Sequence, residues 1–108
     1  MIEEVYHFTT SSTKLIERIL DDDQAAINHM ILAKGEALPE HYTNSHVYLL
    51  ITGGTLSLRL EEEDVHLYEA GNIVNIPYKT KMNIINPTDE ILEFFVIKAP
   101  SPRKFHQE

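Results

Sequence analysis

The sequence predicts an all-β domain, and three observations carry that prediction. Residues 55–60 alternate strictly between leucine and polar or charged neighbours, the two-residue period of a strand with one buried face. The other apolar stretches are short, and each stops at turn-forming residues such as Gly71-Asn72, Pro77 or Asn86-Pro87. Roughly eight to ten such stretches, set close together, are what a barrel or sandwich requires.

The elements follow in order. Leu15, Ile16 and Ile19 suit either a helix or a strand over 14–20. A strand is preferred, because 24–33 reads as its hairpin partner beyond the turn at Asp21-Asp22-Asp23. Val47 to Ile51 forms the next clear strand, and Gly53-Gly54 marks a hairpin between it and 55–60. The acidic turn Glu61-Glu62-Glu63-Asp64 leads to a strand over 65–68. Ile73 to Ile76 stops at Pro77, which has no ladder donor. Strands over 82–86 and 91–98 complete the set, joined by Asn86-Pro87-Thr88-Asp89. Residues 100–108 read as an irregular tail.

Composition narrows the function classes. A chain of 108 residues, 43% of them apolar, suits one core and one domain over 1–108. The longest apolar run, Val47 to Ile51, is far short of the ~20 residues a membrane helix needs. The start, Met1-Ile2-Glu3-Glu4, has neither the basic residues nor the apolar run of a signal peptide, so a cytoplasmic protein is expected. There are no cysteines, which excludes disulfides, thiolate chemistry and cysteine-held zinc. A net charge of −8 argues against nucleic acid, whose phosphates need clustered Lys and Arg. The acidic runs read as solvated turns, with no EF-hand glycine or terminal glutamate at the required offsets.

Two segments resemble the paired motifs of the cupin superfamily. In the first, Gly35 is followed after five residues by His41, and the closing glycine falls on Gly54. In the second, Gly71, Pro77 and Asn86 stand at the motif's spacing, with Lys79 in a glycine slot and Met82 in the histidine slot. The resemblance covers 34–86, about half the chain. It implies a double-stranded β-helix, the jelly-roll barrel, with its mouth beside His41. It also implies what is missing. Family members with a full motif hold a divalent metal through two histidines, a glutamate and the second-motif histidine. Here Thr43, Val47 and Met82 replace the last three, and a lone imidazole is a poor site for an ion that draws on three or four protein ligands.

The resemblance places His41, Thr43 and Met82 in a ligand pocket, with Tyr48 as a neighbouring aromatic. Asn28 joins them if Met30 and Leu32 face inward, because alternate residues share a face; His29 then faces out. Ile27 and Ile31 make that other face apolar too, which suggests cover by a second subunit and a homodimer. His46 lies one residue before the glutamate slot, and a bulge would be needed to turn it inward. A His41, His46 and Met82 set would favour a soft ion such as copper. Lys79-Thr80-Lys81 is a local basic cluster that would suit an anionic small molecule.

The preferred reading is a barrel for binding or sensing a small molecule, with the standard metal site lost. The alternative is a metal-dependent dioxygenase or isomerase using His41 with recruited ligands. A metal-free acid–base enzyme acting on sugars, a chemistry known among cupins, is a third class.

Overall fold

The computed structural model describes residues 2–104, and nine strands lie within them: β1 Leu15–Asp21, β2 Ala26–Leu32, β3 His41–Tyr42, β4 Val47–Gly53, β5 Thr55–Leu60, β6 His66–Glu69, β7 Ile73–Ile76, β8 Lys81–Ile85 and β9 Leu92–Lys98. All pairings are antiparallel, in a five-stranded sheet ordered β1-β2-β9-β4-β7 and a four-stranded sheet ordered β3-β8-β5-β6. The chain passes from one sheet to the other six times. This is the crossing pattern of a jelly roll. A short 3-10 turn at Pro102–Lys104 begins the C-terminal segment, and residues 105–108 of the expected tail lie outside the described residues. No helix among the described residues is long and apolar enough to cross a membrane.

Alternation builds the core. Val47, Leu49 and Ile51 of β4, Leu56 and Leu58 of β5, and Leu92, Phe94 and Val96 of β9 all turn into the space between the sheets. At ~25 cal/mol per Å² of apolar surface removed from water, each such side chain contributes about 1.5–3 kcal/mol. Ile76, Met82 and Ile84 close this layer from β7 and β8.

One expected turn is different. Gly53-Gly54 does not join a hairpin: β4 pairs with β7 and β9, while β5 pairs with β6 and β8. These glycines instead make the corner where the chain leaves one sheet for the other. Gly54 has φ +78°, and a Cβ there would stand 2.3 Å from the Ile91 carbonyl oxygen. Backbone proximity therefore demands glycine here. The acidic turn after β5 does form a hairpin, with Glu61 in the left-handed region at φ 53°.

Buried polar groups pin the crossings. The Asn86 amide is fully buried; its Nδ2 donates to the Leu32 carbonyl at 2.9 Å and the Glu90 carbonyl at 2.7 Å, and its Oδ1 accepts from the Thr88 N–H at 2.9 Å. That set ties the end of β2 to the β8–β9 turn, which explains why the motif specifies an amide there.

The outer face of β2 is covered within the chain. His29 is fully buried, stacked on Phe95 with ring centroids 4.6 Å apart and capped by Phe8 at 5.0 Å. Its Nδ1 lies 2.8 Å from Glu17 Oε1 and its Nε2 2.8 Å from Glu93 Oε2. Carboxylates only accept hydrogen bonds and a neutral imidazole has a single N–H, so two ionised partners require a hydrogen on both ring nitrogens. Glu17 also accepts the Thr9 N–H at 2.8 Å, which, with His29, holds its carboxyl below the usual range. Thus the apolar outer face that suggested a second subunit is satisfied in part by the chain's own N-terminal segment. It also fixes parity: with His29 outward, Asn28 and Met30 face the barrel interior.

Candidate functional site

One end of the barrel interior sets a few polar side chains against an apolar wall. Cross-strand partners share a face, so His41, opposite Met82 in the β3–β8 pair, turns toward the same space as that buried methionine. Together with Asn28, Thr43, Asn44 and Lys98 it lines a cavity of about 50 Å³. The apolar wall is Met30, Leu38, Val47, Met82 and Val96. The cavity borders a groove of about 180 Å³ that shares Asn28, Asn44 and Lys98 and adds Arg18, Asp21 and Arg103.

Lys98 was not among the residues singled out from sequence. A signal for it exists: Leu92, Phe94 and Val96 are the inward residues of β9, and Lys98 continues that face. Its neighbours in register, Ala26 and Val47, are both buried. The side chain makes no hydrogen bond or ion pair among the described residues. Burial, with Arg18 nearby, pushes its amine below the ordinary value of 10.5 despite the opposing influence of Asp21. The groove beside it carries the charges of Arg18, Lys98 and Arg103 against the single carboxylate of Asp21, the reverse of the acidic chain as a whole. Arg103 is held there by Asp21, 3.2 Å away, and Arg18 lies 3.5 Å from the same carboxylate.

The other polar groups divide into committed and available. The Thr43 hydroxyl donates to the Pro77 carbonyl at 2.7 Å and accepts the Thr80 N–H at 2.9 Å, so it braces the β7–β8 connection. His41 sits exposed at the rim, with Nδ1 2.9 Å from the Pro39 carbonyl. A carbonyl oxygen cannot donate, so Nδ1 carries a hydrogen and Nε2 is the ring nitrogen left for other partners. Asn28 and Asn44, like Lys98, have no side-chain hydrogen bond among the described residues. Their amides line the cavity as available donors and acceptors.

Two sequence-selected residues stand elsewhere. Tyr48 lies between Val47 and Leu49, both buried, and alternation sends it to the outer face, 36% exposed. His46 precedes Val47 and is exposed; β4's irregularity falls at Ile51/Gly53, so no bulge turns it inward. The basic cluster is also dispersed. Lys81 pairs with Glu62, while Lys79 lines an open depression with Tyr42 and Tyr78. Lys79, in the family's glycine slot, has φ 67° and donates its N–H to the Thr43 carbonyl at 3.0 Å.

These residues do not fit the family's divalent metal. Val47 is an alkyl group, the Thr43 oxygen is engaged by backbone partners, and His41 with Met82 leaves one nitrogen and one thioether. No group of three or more His, Cys, Asp or Glu able to hold an ion occurs among the described residues.

A closed jelly roll with a polar mouth defines a small cupin barrel. No family model matches the chain. A protein of Methanocaldococcus jannaschii, uncharacterized protein MJ0764, is 46% identical over 107 residues, 98% of this chain and 92% of that protein. Its crystal structure, described as an RmlC-like cupin with a double-stranded β-helix fold, aligns with TM-score 0.92 at 47% identity over 96% of each chain. The chain therefore belongs to the RmlC-like cupin family. Two more distant structures share the fold alone. A cupin superfamily protein of Desulfitobacterium hafniense has TM-score 0.73 at 14% identity, covering 86% of this chain and 83% of its own. A double-stranded β-helix protein of Klebsiella pneumoniae has TM-score 0.76 at 14% identity, covering 89% and 80%.

Proposed function

We propose that the barrel mouth binds a small organic anion without a metal. The carrying observation is Lys98: an inward, half-buried lysine without a hydrogen-bond or ion-pair partner among the described residues. Burying part of an ammonium without a direct hydrogen-bond or ion-pair partner is unfavourable, and a bound carboxylate or phosphate would relieve that cost. Asn28 and Asn44 offer the further hydrogen bonds that orient a ligand, and Arg18 and Arg103 extend the positive field along the groove. The source of anion affinity is thus β9 and the groove, in place of the 79–81 lysines. The donor set supports the metal-free reading over the metal-dependent enzyme, because His41 has no second imidazole or carboxylate in the cavity.

A thermal-shift panel of small carboxylates and phosphates tests this reading. A ligand at ten times its Kd stabilises the native state by about 1.4 kcal/mol, roughly 5 °C for a domain of this size. Glycolate or phosphate should raise Tm at millimolar concentration, and the rise should vanish in Lys98→Met. Flat curves across the panel, or a stoichiometric transition metal in protein purified without a histidine tag, would overturn the proposal.

A further inference from the structure

We infer that Lys98 captures the carbonyl carbon of a small oxo-carboxylate as a reversible imine inside the barrel mouth. The inference rests on the anion-binding reading and adds a covalent step to it.

The geometry supplies the requirements of that step. An amine that attacks a carbonyl must shed a proton, and a lysine does so more readily in an apolar wall, beside another cation and away from a carboxylate partner. For Lys98, Val47, Met82 and Val96 share its cavity, Arg18 lines the adjoining groove, and the nearby Asp21 carboxylate is paired with Arg18 and Arg103 in place of Lys98. Among the other lysines, Lys34, Lys81 and Lys104 have carboxylate partners in Asp89, Glu62 and Asp23. A carboxylate on the substrate would lie toward Arg18 and Arg103 while its carbonyl enters the mouth.

The step balances without an oxidant or reductant. The Lys98 nitrogen forms a bond to the carbonyl carbon, giving a carbinolamine; the carbonyl oxygen then leaves as water as the C=N bond forms. His41, on the same cavity with Nδ1 engaged by the Pro39 carbonyl and Nε2 left for other partners, is the group that carries a proton from nitrogen to the departing oxygen. The charged and titratable groups facing this space are His41 from β3, Arg18 and Asp21 from β1, Lys98 from β9 and Arg103 from the C-terminal turn.

Glyoxylate with cyanoborohydride is the test, because reduction converts the imine into a stable carboxymethyl-lysine that peptide mapping locates. Labelling of Lys98 should be several-fold faster than that of the other five lysines, because burial leaves a larger share of its amine unprotonated. Lys98→Arg, which keeps the charge, should lose that fast label. Glycolate, the same anion without the carbonyl, separates the two claims. If glycolate raises Tm but Lys98 labels no faster than the surface lysines, the imine is overturned and anion binding stands. If neither glycolate nor glyoxylate shifts Tm and Lys98 gains no selective label, both fall.

Discussion

At Lys98 the proposed binding role carries a cost in stability. Its lowered amine pKa, caused first by burial, means that the unfolded chain holds the proton more tightly than the folded one. Stability should therefore rise as pH is raised from neutral through the lowered value toward 10.5, and that increment should be absent in Lys98→Met. At neutral pH the same substitution should stabilise by about 1 kcal/mol, since it replaces a partly dehydrated ammonium with an apolar group. Urea unfolding at two pH values measures both effects; a less stable methionine variant would mean that the ammonium is already satisfied. The sequence identified His41, Thr43, Met82 and Asn28, and the structure brings all four onto one cavity. Lys98 escaped because its signal is a parity signal along β9, outside the motifs. Tyr48 was misplaced for the converse reason: proximity to a motif says nothing about which face a side chain takes.

At the level of elements, the strands were legible because alternation and turn residues are local properties. The stretch 55–60 is β5 itself, and 73–76 is β7. Their partners were not legible, as Gly53-Gly54 demonstrates: a glycine pair suits a hairpin and a sheet-to-sheet corner equally, and only the approach of the Ile91 carbonyl distinguishes them. The outward parity of β2 likewise depends on Glu17, Glu93 and Phe8, distant in sequence from His29. The β7–β8 connection offers a test of local strain. Lys79 occupies a left-handed conformation that costs a non-glycine residue roughly 1 kcal/mol, in the slot where the family motif has glycine. Lys79→Gly should accordingly raise stability by up to about 1 kcal/mol, the release of strain offset in part by greater freedom of the unfolded chain. Chemical denaturation checks this, and a loss of stability would show that the lysine side chain contributes more than its backbone costs.

For the molecule as a whole, one chain builds a barrel closed at its core and polar at its mouth. Retained motif residues account for part of that shape, Gly54 permitting a corner and Asn86 locking a crossing, while Thr43, a replacement in a ligand slot, braces the β7–β8 connection. Where full-motif cupins have metal-binding side chains, this mouth has a lysine, two amides and one histidine. A glycolate titration followed by backbone amide NMR locates ligand binding directly. The account predicts saturable shifts centred on Asn28, Val47, Met82 and Lys98. Shifts confined to Tyr42, Tyr78 and Lys79 around the open depression, or none at millimolar glycolate, would contradict it.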